Sequence, residues 1–491
     1  MISRLALALT TWTERWVPDA FIFALIATVV VCAAALGATP ASIGQVIDAW
    51  GRGFWELIPF TLQMSLVIIT GHVLASSAPI GRLIRRFAGW PTTPANAVAM
   101  VTFFALTTSW LNWGFSLVFS AVLAREVARR VDGVDYRALA AASFLGLGSI
   151  WAQGLSGSAA LQMATPGALQ PQIRDIVAHA GLVPGGIITF RHTIFLWQSL
   201  VSVSVEIVVV TIVMWLATPP AGKGKTARDL GIDLTEHPPR TPQRPQRPQS
   251  PQRSVFLSGL RDLCGLDVSE GATRNPGQWL EHSPLLTFMI VALGGAYLVR
   301  YFLQAGEPLN ALNLNILNLA FLLAGFLLHR TPARLMLAVQ EATPAVWGVI
   351  LQFPFYAGIA GIITSTHLSE RVAGVFVHVS TAATFPPLVA VYSAVLGVFV
   401  PSGGSKWVIE APYVMEAAHT LHTHLGWVVS AYDLGEALAN LVQPFWMLPI
   451  LGLFKLAARD VMGYTLVVFF ALVPVVLVLV TVLGLTLPYP L

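Results

Sequence analysis

Residues 465–487 read TLVVFFALVPVVLVLVTVLGLTL, with no charge anywhere in the run. At 1.5 Å per residue, an α-helix of that length is about 34 Å long, enough to cross the roughly 30 Å hydrocarbon core of a bilayer. In lipid every backbone N–H and C=O must be paired within the segment, so such a run is a helix rather than a strand. Three further stretches, 21–36, 195–216 and 285–299, are also predominantly apolar. Membrane barrels show short segments of alternating polarity instead, and none occurs here. The fold class is therefore all-α and polytopic, with the chain threaded repeatedly through a membrane.

Composition agrees. Of 491 residues, 55% are hydrophobic and 11% charged, against about a quarter charged in a soluble domain. The net charge of +4 reports membrane topology, since Lys and Arg gather on the cytoplasmic side; it is no sign of a nucleic-acid partner. Two cysteines, Cys32 and Cys264, give neither a disulfide framework nor a metal site. No cofactor motif appears, and without a Gly-Lys-Ser/Thr phosphate loop, ATP-driven transport by this chain is not expected. The amino terminus lacks a small-residue cleavage site after a short apolar core, so no cleaved signal is expected.

Basic clusters at Arg4/Arg15, Arg82–Arg86, Arg125–Arg137, 217–283, Arg330/Arg334 and Lys455/Arg459 place 22 of the 28 Lys and Arg on one side. Setting aside the long linker leaves 13 against 6. The segment 94–124 lies between two such clusters and is too short for two comfortable spans. It is expected to be a re-entrant hairpin with Asn112-Trp113-Gly114 at its tip. A second hairpin, 384–421, carries Pro401-Ser402-Gly403-Gly404 at its tip and opens to the opposite side. Nine full spans are expected, near 19–38, 57–76, 138–165, 192–216, 285–303, 309–328, 345–365, 425–450 and 463–487. Paired hairpins of opposite orientation mark inverted repeats in secondary transporters. The domains are then an N-terminal repeat, 1–217, a cytoplasmic linker, 218–283, and a C-terminal repeat, 284–491. The linker core, PPRTPQRPQRPQSPQR at 238–253, is too polar to bury and reads as a disordered tether.

Chain breaks at membrane depth are tolerated only where they line a cavity or are buried in protein. Gly154-Leu155-Ser156-Gly157-Ser158 interrupts the span at 138–165, which ends at Thr165-Pro166-Gly167. Glycines allow main-chain amides to face a ligand, and serines add hydroxyls. With the two hairpin tips, these breaks predict a carboxylate site built from Asn112, Gly114, Ser156, Gly157, Ser158, Thr165, Ser402, Gly403, Gly404, Asn440 and Gln443. Ionisable groups inside spans are candidate sites by default. Glu436 shares a helix face with Asn440 and Gln443 and is the leading proton carrier; His72 is the second candidate. Lys406 and Glu410 are four apart. That spacing fits an ion pair at the outer surface, or a cation that meets the substrate carboxylate.

At these residues the sequence resembles the short-chain fatty acid transporter family, within a wider superfamily of ion transporters. The resemblance runs nearly end to end. It is carried by Trp16-Val17-Pro18-Asp19, Trp50-Gly51, Gly53-Phe54-Trp55, Thr70-Gly71-His72 and Asn112-Trp113-Gly114-Phe115. It continues through Ser156-Gly157-Ser158, Gln352 to Gly358, Val400 to Gly404, Trp407, Gly435-Glu436, Asn440, Gln443 to Trp446 and Arg459 to Tyr464. The resemblance implies proton-driven uptake of short fatty acids such as acetoacetate or butyrate. The partners would be that carboxylate, a coupling proton (or sodium) and the lipid of a bacterial inner membrane, with a homo-oligomer left open. Departures fall at the proposed tips: Ala168 and Gly397 stand where the family has Asn, Ser405 where it has Gly, Glu410 where it has Gln, and Lys406 where it has a neutral residue or His. Rival readings are a sodium-coupled or exchange carrier of another organic anion, such as a dicarboxylate, and a channel. From another class, Gly154-Leu155-Ser156-Gly157 matches an intramembrane serine protease pattern, with His192, at the start of the next span, as the base considered. The protease reading is the weakest, and no catalytic residue is assigned.

Overall fold

The computed structural model describes residues 20–169, 171–220, 222–234, 276–305, 311–399, 403–443 and 445–491. Expectations for Trp16–Asp19, the 238–253 run, Cys264 and Ser402 lie outside the described residues. Among the described residues every regular element is helical, and seven helices are long and apolar enough to cross a membrane. Their outer faces are strongly apolar. Pro284–Gln304 has only 6% of its length buried, and such an apolar surface is stable only in lipid.

The first half runs α1 (Ala20–Ala38), α2 (Ile43–Gly53), α3 (Ile58–Ala75), α4 (Ala78–Phe87), α5 (Pro94–Leu111), α6 (Trp113–Ala128), α7 (Tyr136–Leu145), α8 (Ser158–Ala164), α9 (Pro171–Ala178) and α10 (Trp197–Ala217). The second half runs α11 (Pro276–His282), α12 (Pro284–Gln304), α13 (Leu314–His329), α14 (Pro332–Ala342), α15 (Trp347–Ser365), α16 (Leu368–Val379), α17 (Phe385–Phe399), α18 (Gly403–Thr420), α19 (Leu425–Asn440), α20 (Leu448–Phe454) and α21 (Ala458–Gly484). Proline opens several of them, as at Pro94 and Pro332, where a missing N–H leaves no intrahelical bond unmade.

Both hairpins form. The first is α5 and α6, reaching Ala128 rather than 124, and its 18-residue first arm is by itself long and apolar enough to span. The second is α17 and α18. Each is followed by a broken helix. Beyond α7 the chain passes through a π-helical turn, Gly146–Ile150, and a 3₁₀ turn, Trp151–Gln153, before α8 resumes. Beyond α19 it turns at 441–443 and resumes through a 3₁₀ turn, Phe445–Met447, into α20. Two expected spans start late, at Trp197 and Leu314.

The order long helix, short helix, long helix, short helix, hairpin, broken helix, long helix occurs in α1–α10, where α9 is an extra element, and again in α13–α21. The packing is reciprocal: α1 and α2 pack on α15, while α13 and α14 pack on α3. The short helices α2, α4, α14 and α16 were not expected from apolar length, because none has a run long enough to register as a span.

Two glycines set the distance between each hairpin and its broken helix. A Cβ on Gly146 would lie 2.2 Å from the Ala105 carbonyl oxygen of α5. One on Gly435 would lie 2.1 Å from the Ala390 carbonyl oxygen of α17. The first part of the linker is also tied down rather than a free tether. The Lys225 backbone N–H donates to Asp135 Oδ2 at 3.0 Å, and the Tyr136 N–H donates to the Lys225 carbonyl at 2.9 Å. Arg129 Nε donates to the Leu234 carbonyl at 2.8 Å.

Gly435→Ala is expected to force α17 and α19 apart at a cost of about 1–3 kcal/mol, the usual range for overpacking. A lowered thermal midpoint of the purified protein checks this; an unchanged midpoint would contradict the close approach.

Candidate functional site

Asn112 sits between the two arms of the first hairpin. Its Oδ1 accepts the Phe115 N–H at 2.7 Å, capping α6. The tip docks into the first chain break: the Leu155 N–H donates to the Trp110 carbonyl at 2.8 Å, and the Trp113 N–H donates to Ser156 Oγ at 2.9 Å. Gly71 of α3 closes the other side, where a Cβ would fall 2.6 Å from Asn112 Oδ1. Asn112 is buried, yet its Nδ2 has no partner among the described residues, nor do the indole N–H groups of Trp113 and Trp151. Those two indoles meet edge to face, with centroids 6.5 Å apart. Buried donors without acceptors are costly, and three of them together mark a place suited to an acceptor.

The second tip reaches the same region. Gln162 Nε2 of α8 donates to the Gly404 carbonyl at 2.7 Å, and the Tyr432 hydroxyl of α19 donates to the Gly403 carbonyl at 2.6 Å. The position of a Cβ on Gly404 lies 3.4 Å from Ser158 Cβ, and one on Gly403 would lie 2.7 Å from the Trp151 ring. At the far end of α19, Asn440 Nδ2 donates to the Leu147 carbonyl at 3.1 Å, and Gln443 Nε2 donates to Asn440 Oδ1 at 2.7 Å. Asn112, Gly114, Ser156, Gly157, Ser158, Gly403, Gly404, Asn440 and Gln443 thus belong to one connected region. Thr165 does not: its hydroxyl caps α13 by accepting the Leu314 N–H at 3.1 Å.

Lys406 departs most from expectation. Its spacing to Glu410 does give an ion pair, at 3.3 Å, but both side chains are wholly buried rather than at an outer surface. The tighter partner is Glu436, with Oε2 2.6 Å from Nζ. The ammonium also donates to the Ser393 carbonyl at 2.8 Å and to Ser393 Oγ at 2.6 Å, and stands 4.5 Å above the centre of the Tyr432 ring. Two carboxylates therefore share one cation in a place without water access. His72 lies elsewhere. Its side chain, mostly buried, faces the half-exposed Glu341 of α14 at 3.6 Å, near His329, whose Nε2 bonds the Val73 carbonyl.

The polar groups of this region pack against one another. A cavity of about 10 Å³ beside Asp433 and a cleft of about 540 Å³ between 128–134 and 226–234 are lined by none of the expected substrate residues. Ser156 Oγ is occupied by the Trp113 amide, and among the described residues no histidine bonds it, so the protease reading finds no base. Sequence reasoning missed Glu206, the single charge in the apolar run 195–216, and also Ser393, Gln162 and Tyr432.

Comparison with known proteins follows the same pattern. The family model described as "Short chain fatty acid transporter" matches residues 1–244 and 264–483. The chain belongs to the short-chain fatty acid transporter family. A relative from Escherichia coli (strain K12), named as a short-chain fatty acid transporter, is 37% identical over 465 residues, covering 94% of this chain and 96% of the relative. One from Haemophilus influenzae with the same description is 33% identical, covering 97% and 99%. Solved structures share the fold alone. The Alcanivorax borkumensis YdaH transporter aligns with a TM-score of 0.56 at 13% identity, covering 96% of this chain and 99% of that one. Neisseria gonorrhoeae MtrF aligns with a TM-score of 0.53 at 14% identity, covering 98% of each. This short-chain fatty acid transporter family member is thus an all-α, multi-pass membrane protein, and membership implies a carboxylate substrate and transport rather than catalysis.

The buried triad predicts an asymmetry in mutation. Lys406→Met leaves two carboxylates without their cation and is expected to cost about 3–5 kcal/mol. Neutralising all three, with Lys406→Met, Glu410→Gln and Glu436→Gln together, should recover most of that loss. Thermal midpoints of the single and triple variants decide it; equal destabilisation would contradict the pairing.

Proposed function

We propose that the protein takes up short-chain monocarboxylates such as acetoacetate or butyrate across the bacterial inner membrane, with proton coupling, by alternating access. The observation that carries this reading is one fully buried ammonium, Lys406, shared by Glu436 and Glu410. A substrate carboxylate arriving at Lys406 adds a third negative charge to a low-dielectric site, where uncompensated charge is expensive. Protonation of one resident carboxylate removes that cost. Binding of the anion and uptake of a proton then become one event. Glu436, beside the tip glycine Gly403, is the group that takes the proton in this scheme. His72 stands apart from the cluster and has no part in it.

The unpartnered donors Asn112 Nδ2, Trp113 Nε1 and Trp151 Nε1, with Ser156 and Ser158 at the adjoining break and the Asn440–Gln443 pair at the other, would hold the substrate's second carboxylate oxygen and its short tail. Lys406 is the one cation in this cluster among the described residues, which favours a monocarboxylate over a dicarboxylate. The two halves, 1–217 and 284–491, are read as inverted repeats joined by the 218–283 linker, and rocking of one against the other would expose the closed site to each side in turn.

Radiolabelled butyrate uptake into proteoliposomes at several imposed pH gradients tests this. Uptake should rise when the outside is more acidic. Glu436→Gln should lower gradient-driven accumulation by roughly tenfold or more, equivalent to about 1.4 kcal/mol or more, while leaving counterflow exchange measurable. Uptake indifferent to the gradient would remove the proton coupling.

A further inference from the structure

A second polar centre lies on the other side of α19 from the Lys406 triad. The cavity of about 10 Å³ there is lined by Gln153, Ser199, Ser202, Ser430 and Asp433, with Ala160 and apolar side chains completing the wall. Its size suits one water-sized occupant. The three serine hydroxyls on the wall spend their hydrogens elsewhere. The Ser199 hydroxyl donates to the Thr193 carbonyl at 2.6 Å, Ser430 to the Gly426 carbonyl at 3.2 Å, and Ser202 to Glu206 Oε1 at 3.2 Å. The Gln153 amide donates to Glu206 Oε2 at 3.0 Å, which leaves its carbonyl oxygen uncommitted. Asp433 Oδ2 accepts the Ala160 N–H at 3.3 Å, and its Oδ1, fully buried, has no partner. What remains for the cavity is mostly oxygen lone pairs, those of Asp433 Oδ1, the serines and the Gln153 carbonyl, beside one Gln153 N–H.

A wall in which acceptors outnumber donors, with an unpartnered buried carboxylate oxygen among them, favours a cation, and oxygen ligands favour a hard one. The charge is right as well. Among the described residues neither Asp433 nor Glu206 has an ion-pair partner within 4.0 Å, since Lys406 is held by Glu436 and Glu410. Hydroxyl and amide oxygens supplemented by a single direct carboxylate suit a monovalent ion; a divalent one draws several carboxylates. Ser199 Oγ and Ser430 Oγ stand 3.5 Å apart, close to the ~3.4 Å between neighbouring ligands of a cation bound at roughly 2.4 Å.

We propose that the cavity formed by Asp433, Gln153, Ser199, Ser202 and Ser430 is a binding site for one sodium ion. Glu206 stands behind it as the second-layer carboxylate that orients Ser202 and Gln153. The site joins the first chain break, through Gln153 and Ala160, to α10 and α19, so its occupancy draws the broken helix of the first half against that of the second. This inference concerns ion binding alone and stands apart from the identity of the transported acid.

Retention of ²²Na⁺ by the purified full-length protein, in detergent without any carboxylate substrate and with choline chloride holding ionic strength constant, tests it. Saturable binding is expected, with potassium a much weaker competitor. Asp433→Asn should raise the half-saturating sodium concentration about tenfold or more, and Ser202→Ala and Ser430→Ala several-fold. Glu341→Gln, on α14 beside His72, should leave it unchanged. If Asp433→Asn does not fold, the two serine variants decide. Absent saturable retention, equal competition by potassium, or affinity unaltered in all the site variants would overturn the proposal. Failure of butyrate uptake with sodium binding intact would instead overturn only the substrate reading.

Discussion

The Lys406 ammonium, held between Glu436 and Glu410 at full burial, is the constraint around which the rest of the molecule is organised. A cation removed from water and lipid headgroups survives only when it is paired and its N–H groups find acceptors. That requirement explains the neighbours: Ser393 supplies both a carbonyl and a hydroxyl, and Tyr432 supplies a ring face while its own hydroxyl secures the Gly403 carbonyl. It also explains why the second hairpin must lie so near α19, since Lys406 and Glu410 come from one and Glu436 from the other. Gly435 permits that approach on the far side, against Ala390.

The same economy runs through the chain breaks. A helix interrupted in lipid exposes amides and carbonyls that have no solvent to satisfy them. Here the first break is satisfied by the tip of its hairpin, and the second tip by side chains of α8 and α19. Trp110 and Trp113 serve the 154–156 break, while Gln162 and Tyr432 serve the carbonyls at 403–404. Both tips are therefore bonded to the helices around them, and motion of either hairpin must release those bonds. Such an arrangement suits a transporter, because it couples opening on one side to rearrangement at the centre.

Much of the architecture was legible in the sequence because lipid makes length and polarity decisive. The run 465–487 and its counterparts fix helices, and Gly154 to Ser158 and Asn112-Trp113-Gly114 could only be breaks. The short helices α2, α4, α14 and α16 escaped because apolar length does not register a helix of ten to twelve residues lying between spans. Depth escaped as well. The four-residue spacing of Lys406 and Glu410 gives proximity along a helix, but burial depends on α19, which arrives from some thirty residues away with Glu436. His72 shows the converse: a titratable group in an apolar helix that ends up near the rim, opposite Glu341. Glu206 was legible as a lone charge in 195–216, and its meaning emerges only with Gln153 and Ser202 beside it.

Sharing one cation between two resident carboxylates makes a definite claim about protons: a third carboxylate enters only as one of the residents is neutralised. Proton uptake accompanying substrate binding, followed with a pH indicator in weakly buffered detergent solution, tests this most directly. The account predicts about one proton taken up for each butyrate bound near neutral pH, by thermodynamic linkage, and none in Glu436→Gln. Butyrate bound with no proton uptake by the unaltered protein would contradict it.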